Sequence, residues 1–164
     1  MNKSFSHFNY TKSDIAPLIL TINILGDNLV GLELGVLRAD SLMTILHNCN
    51  NVKKMFGVDN WKPYKDYLKD KPDGKPSYSV NQKQSDLNKY ITHLNLTYDL
   101  PLNKEAQILE EDSLEAVKKI KDKSLDFIFF DAMMSETQSY NEALAYYPKI
   151  KKNGYFMGHD ADAI

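Results

Sequence analysis

Cysteine is almost missing from this chain: Cys49 is the only one in 164 residues. That excludes an internal disulfide and any zinc site built on several thiolates. Cys49 lies within an apolar helical pattern and reads as a small core residue. Long hydrophobic runs are missing too. The stretch from Ile15 to Leu25 is apolar but too short to span a bilayer, and Pro17, Thr21 and Asn23 interrupt it. The first ten residues mix Asn, Lys, Ser and His with aromatics around no apolar core, so no export signal is read there and a cytoplasmic protein without membrane association is expected. In that setting Asn95-Leu96-Thr97 matches a glycosylation acceptor by chance. Charge of one sign is also lacking. Twenty basic and 22 acidic residues leave a net charge of -2, which argues against a nucleic-acid platform, because phosphate binding needs concentrated positive potential. The lysines at 118, 119, 121 and 123, and at 149, 151 and 152, have acids nearby and read as solvated faces.

What is present is an ordinary globular composition, 43% hydrophobic and 26% charged, on a length that suits one domain spanning residues 1 to 164. Helical and extended patterns alternate. Ser13-Asp14 starts a helix through about Leu25, and Gly26-Asp27-Asn28 breaks it before a first strand, Leu29 to Leu34. Leu42, Ile45, Leu46 and Cys49 then recur at helical spacing in a helix from Asp40, with the Asp40-Ser41 pair as its cap. Lys54 to Asp59 reads as the second strand. Residues 60 to 96 are irregular and read as a lid: Asp70 to Pro76 is rich in turn formers, and Asn81 to Leu96 resumes helical spacing through Leu87, Tyr90, Ile91 and Leu94. A third strand is expected at Ala106 to Leu109. Asp112-x-x-Glu115 reads as a capping box for a helix carrying Leu114, Val117 and Ile120. Leu125 to Asp131 is nearly unbroken in its apolar character, as a central parallel strand covered on both faces should be. A helix around Ser139 to Tyr147 and an Asn153-Gly154 turn lead to a fifth strand, Tyr155 to Gly158.

The strands end near Glu33, Asp59, Asp112 and Asp131, and the fifth at His159-Asp160. Buried carboxylates are costly unless they hold hydrogen-bond donors or a cation, so acids at all five ends point to a ligand with hydroxyls and amines. Taken singly, Asp112 and Asp40 could equally be helix caps. Gly35 follows directly on the first of these ends, where a sharp turn and close ligand approach need a bare backbone. A nicotinamide dehydrogenase is the rival reading. Its fingerprint requires a second glycine two positions after the first, where this chain has Leu37. Asp59, about 24 residues beyond Gly35, would hold a ribose under either reading.

Five segments in order carry a resemblance: Glu33-Leu-Gly-Val-Leu-Arg-Ala-Asp-Ser41, Gly57-Val-Asp-Asn-Trp61, Glu111-Asp-Ser113, Asp126-Phe-Ile-Phe-Phe-Asp-Ala132 and Gly154-Tyr-Phe-Met-Gly-His-Asp160. They look like the successive motifs of class I S-adenosylmethionine-dependent methyltransferases, closest to the small-molecule O-methyltransferase branch, whose members often carry a divalent metal. The resemblance implies an α/β fold, a Rossmann-like three-layer sandwich with a mainly parallel sheet and five strands in the order 3-2-1-4-5. It implies S-adenosyl-L-methionine as cofactor and a small-molecule substrate, with methyl transfer to a hydroxyl oxygen. By position, Glu33, Gly35 and Ser41 would face the methionine part and Asp59 the ribose hydroxyls. Asn60 and Trp61 would border the adenine, and Asp112 with Ser113 would meet its polar edge. Asp131 would face the methyl group and, with His159, serve catalysis; Asp131 and Asp160 could hold Mg2+.

His159 could as well be a hydrogen-bonded strand-end residue, Trp61 a core residue, and Phe5, Phe8 and Tyr10 either a cover over the substrate or packing on the sheet. The sequence departs from the family at Ala39, where a glycine is usual, and after Ala132, where Met133-Met134 replaces an expected histidine. It also ends where a full domain of this type adds a helix and an antiparallel strand pair. Strand five is then an edge, expected to be shielded in a homo-oligomer unless the chain is a fragment of a longer enzyme. The alternative function is a domain that binds cofactor or a partner without turnover.

Overall fold

A computed structural model describes residues 15–63, 81–132 and 136–158. Its elements, in chain order, are α1 (Ala16–Asn23), β1 (Leu29–Leu34), α2 (Asp40–Asn48), β2 (Val52–Val58), α3 (Gln82–Tyr98), β3 (Glu105–Leu109), α4 (Ser113–Ala116), β4 (Leu125–Phe130), α5 (Glu136–Tyr146) and β5 (Ile150–Gly158). The strands lie in the order β3-β2-β1-β4-β5. Every neighbouring pair is parallel. Parallel neighbours need a crossover, and the helices supply them. Strand order reverses between β1 and β4, and ligands of open α/β sheets bind outside the carboxyl ends at such a reversal.

Side chains alternate across the sheet and make two apolar layers. On one face α1 and α2 bring Ile22, Leu42, Ile45 and Leu46 against Met55, Phe127 and Phe129. On the other, Ala116, Val117 and Tyr146 pack on Leu32, Leu34, Val58 and Ile128. Side chains as fully buried as Leu32, Ile45 and Phe127, each at 0% exposure, contribute about 1.5–3 kcal/mol apiece. The three-layer order is thus the one expected. Cys49 is a buried free thiol in the first layer, and burial pushes its pKa up to about 11.

Four local expectations are corrected. Residues 82–98 form no lid but the crossover from β2 to β3, while the turn-rich loop at 70–76 lies outside the described residues. The inward face of α3 is not the apolar one: Ser85, Asn88 and Thr92 are buried, whereas Leu87 and Tyr90 are exposed. The cap of α2 is Ala39, without a side-chain hydrogen bond, so Asp40 and Ser41 sit inside the helix. Asp112 does cap α4, through Leu114 N–H, but Glu115 pairs with Lys118 rather than closing a capping box. The described part of α1 begins after Ser13 and Asp14, which fall outside the described residues.

β5 is longer than its apolar run. It pairs from Ile150 onward, and Asn153-Gly154 belongs to a bulge between the pairs Leu125↔Ile150 and Phe127↔Tyr155. Asp126 ties this irregularity to another. Its Oδ2 accepts from Val30 N–H at 2.8 Å, where β1 shifts register against β2, and Lys151 Nζ from the bulge donates to both carboxylate oxygens at 2.8 and 2.9 Å. Tyr155 and Phe156 on this outer strand are exposed, with Phe156 against Phe130 at 4.5 Å between ring centroids. At the opposite, amino edge of the sheet, Lys104 is buried and donates to the carbonyls of Cys49 and Asn50 at 3.1 and 2.9 Å and to that of Val52. Burial lowers its pKa. A polar recess of about 190 Å³ beside it, lined by Asn28, Asn50, Lys53 and Asn103, lies far from the acids of the carboxyl edge. Among the described residues no helix is long and apolar enough to cross a membrane.

Candidate functional site

Glu33 stands on β1 with its side chain on the same face as Gly31, among apolar neighbours, and is 0% exposed. Ser41, in the first turn of α2, donates its hydroxyl to Oε1. Oε2 is buried with no hydrogen-bond partner among the described residues. The pKa of Glu33 is raised well above 4.5, first by burial and then by the negative charges of Asp131, Asp59 and Asp40, while the Ser41 hydrogen bond lowers it. Three carboxyl groups, one from α2 and two from the ends of β2 and β4, therefore act on Glu33 at the reversal point of the sheet.

The loop between β1 and α2 passes through this group. Gly35 has φ +87°, and a Cβ there would lie 2.5 Å from Asp131 O and 2.7 Å from Ala132 Cα, so only glycine fits beside the end of β4. Leu37 and Ala39 have φ +50° and +65°. Left-handed backbone costs an L-residue about 1–2 kcal/mol, and surrounding contacts must offset it. They are present: Leu37 N–H donates to Asp59 Oδ2 at 2.8 Å, and Leu37 O accepts from Trp61 Nε1 at 2.9 Å and Thr92 Oγ1 at 3.0 Å. Asn95 Nδ2 donates to Arg38 O at 2.9 Å, and Arg38 Nε donates to Asn88 Oδ1 at 2.8 Å.

Asp59 also accepts from Trp61 N–H through Oδ1 at 2.8 Å, so each of its oxygens already holds one amide and keeps a second lone-pair direction. Trp61 is buried at 4% exposure, with φ +44°. Asn60 Oδ1 accepts from Lys62 N–H at 2.9 Å. Asp131 follows β4 and donates its N–H to Leu34 O at 2.9 Å, which sets it beside the end of β1.

Asp112 and Ser113 belong to a second polar group. Ser113 donates its hydroxyl to Glu142 Oε1, Gln138 Nε2 donates to the same oxygen at 3.0 Å, and Tyr146 donates its hydroxyl to Ser113 O at 2.8 Å. Glu142 is 1% exposed and its Oε2 has no partner among the described residues. Burial raises its pKa, with Asp112 adding to the rise, and burial also raises that of Tyr146.

Of the sequence-predicted site residues, Glu33, Gly35, Ser41, Asp59, Trp61 and Asp131 thus come together around one loop. Asp112 and Ser113 stand at the end of β3, tied to α5. His159 and Asp160 lie outside the described residues, as do Met133 and Met134. Among the described residues no three His, Cys, Asp or Glu side chains form a group that could hold a metal ion; of the expected Mg2+ pair, Asp131 is described and Asp160 is not. Asn88, Thr92, Asn95 and Glu142 were not foreseen. The first three do carry a signal, a polar stripe at steps of four and three; Glu142 carries none, since its partner Ser113 is remote in sequence.

No curated protein matches the sequence significantly. Solved structures do match the fold. The chain is similar to precorrin-8w decarboxylase from Methanobacterium thermoautotrophicum, at 18% identity and a TM-score of 0.55, covering 92% of this chain and 63% of that one. Precorrin-6y C5,15-methyltransferase from Geobacter metallireducens matches at 16% identity and 0.55, covering 94% and 68%. A putative S-adenosylmethionine-dependent methyltransferase from Methanococcus maripaludis matches at 15% identity and 0.54, covering 88% and 53%. At these identities the likeness is one of fold, and the chain spans between about half and two thirds of those lengths. Residues 32–161 match the family model described as a methyltransferase domain, a span that runs from β1 through β5 and the acids at their ends; the chain belongs to the methyltransferase domain family.

Proposed function

We propose that this chain binds S-adenosylmethionine at the carboxyl edge of its sheet and directs the methyl group to a hydroxyl oxygen of a small molecule. Glu33 carries the reading. It is a buried carboxyl with one oxygen that has no partner among the described residues, and three more acids act on it. What such a group lacks is a cation with N–H donors, and the methionine part of this cofactor has an ammonium. The close passage of Gly35 along β4 supports a backbone cradle for the carboxylate. The open lone pairs of Asp59 suit ribose hydroxyls, with Asn60 and Trp61 beside the adenine and Asp112 and Ser113 at its polar edge. The bound cofactor supplies a methyl already activated on a sulfonium. The chain then has to align the acceptor and take its proton. We assign the proton to Asp131, with His159 as a further candidate. The hydroxyl acceptor rests on the motif resemblance to small-molecule O-methyltransferases.

Calorimetric titration with S-adenosylmethionine and S-adenosylhomocysteine tests the site. Wild type should bind both, and Asp59→Ala should bind at least about tenfold more weakly, since hydrogen bonds to a charged group contribute about 1.5–3 kcal/mol. No binding by wild type, or equal affinity in the variant, defeats the reading. A second reading is a cofactor- or partner-binding domain without turnover. Binding with no methyl transfer across a panel of hydroxyl acceptors would select it. Self-association through the β5 edge belongs to the proposal as well, and light scattering that finds only monomer at high concentration removes it.

A further inference from the structure

The inward face of α3 poses a question that packing does not answer. A crossover helix normally turns its apolar stripe to the sheet, yet this one buries Ser85, Asn88 and Thr92 at 0% exposure and leaves Leu87, Tyr90 and Tyr98 at 47%, 60% and 79%. Burying polar side chains is unfavourable unless they are hydrogen-bonded. Asn88, Thr92 and Asn95 each bond to the loop that passes Glu33, two of them on the main-chain carbonyls of Leu37 and Arg38, and the Thr92 hydroxyl lies nearer to Leu37 O, at 3.0 Å, than to Asn88 O within the helix, at 3.2 Å. Those carbonyls belong to the peptides that flank the left-handed residues Leu37 and Ala39. The loop has the backbone shape that glycines would adopt without strain, and it has it without glycines at 37 and 39.

We infer that Thr92 and Asn95 are positioning residues: from the side of α3 that meets the loop they clamp the Leu37 and Arg38 carbonyls and so hold the glycine-poor loop in the shape that receives the ligand. The inference rests on the proposed cofactor site for its affinity readout. The clamp itself is readable without any ligand. Trp61, the one tryptophan of the chain, shares the Leu37 carbonyl with Thr92. Its emission therefore reports the state of the clamp directly.

The test uses Thr92→Val, which keeps the shape and removes the hydroxyl, Thr92→Ser, which keeps the hydroxyl, Asn95→Ala, and the double variant Asn95→Ala with Ala39→Gly. In ligand-free protein, Trp61 emission should move to longer wavelength in Thr92→Val and Asn95→Ala and stay at the wild-type position in Thr92→Ser. Calorimetry with S-adenosylhomocysteine should show about tenfold weaker binding for the first two, equivalent to about 1.4 kcal/mol. Thr92→Ser should bind like wild type, and Ala39→Gly should restore most of the loss in Asn95→Ala, because glycine takes the left-handed conformation without the clamp. General loosening of the helix would not be rescued by a glycine on the loop. Unmoved emission in Thr92→Val overturns the inference, as does affinity lost equally in Thr92→Ser or not regained by Ala39→Gly. If wild type itself binds no S-adenosylhomocysteine, the cofactor reading fails, and the emission of Thr92→Val against Thr92→Ser still decides the clamp. Should Asn95→Ala not fold, the two Thr92 variants carry the decision.

Discussion

Glu33→Gln exchanges a buried carboxyl for an amide of the same shape, and stability and binding should respond with opposite signs. Among the described residues one oxygen of Glu33 has no partner, and three acids act on the group. Leaving a buried polar atom unsatisfied costs about 1–3 kcal/mol. The amide keeps an acceptor for the Ser41 hydroxyl and adds donors where the neighbouring charged groups, Asp40, Asp59 and Asp131, are all acceptors. Urea unfolding at neutral pH should therefore find the variant more stable by about 1–3 kcal/mol. The same change should weaken S-adenosylmethionine binding about ten- to a hundredfold, the loss of a hydrogen bond to a charged group. The pH dependence has a definite sign. A carboxyl whose folded pKa is raised binds more protons folded than unfolded, so its contribution is intact below the ordinary 4.5 and is lost as pH rises through the folded value. The advantage of the variant should grow across that window and then level off. A variant of equal or lower stability at neutral pH, or one that binds as tightly as wild type, refutes the account of Glu33.

Gly35→Ala should abolish ligand binding and destabilise by at least about 1–3 kcal/mol, since φ is +87° and the added carbon would meet Asp131 O at 2.5 Å; urea unfolding and calorimetry check it. Ala39→Gly should stabilise by up to about 1 kcal/mol, because it removes left-handed strain at φ +65° at some cost in unfolded-state entropy; a lowered unfolding midpoint would contradict it. Asp126→Ala strips Val30 N–H and Lys151 Nζ of their shared acceptor and should cost about 1–3 kcal/mol. Removal of the exposed Lys118 to Glu115 pair by Lys118→Ala should cost under about 1 kcal/mol, and similar losses in the two variants would show that Asp126 does no more than a surface pair.

The strands were legible where one signal dominates. β1 starts and stops as its apolar run does, and Asp59 and Asp131, each just past its strand, mark the carboxyl edge without help from tertiary structure. α3 was legible as a helix but not in its orientation. Its hydrophobic spacing through Leu87 and Tyr90 pointed one way, and the hydrogen bonds of Asn88, Thr92 and Asn95 to a loop some 50 residues earlier turned it the other. The same reason hid the true partner of Ser41. A serine in the first turn reads locally as a cap, whereas here the hydroxyl goes to Glu33, which the fold brings beneath it. β5 was found by its aromatic end only, because Ile150 to Gly154 carries lysines and a turn pair whose pairing partner Leu125 is remote in sequence.

The bulge in β5 separates chain length from side-chain orientation. Downstream of it the ladder Phe127↔Tyr155 through Phe130↔Gly158 is set by β4, not by how many residues precede Tyr155. The surplus between Lys151 and Gly154 acts as slack. A residue gained or lost there alters the size of the kink and leaves Tyr155, Phe156 and Met157 on their present faces, whereas the same change within β1 would reverse every side chain beyond it. Variation in length on this side of the sheet is thereby uncoupled from the acids at its far end.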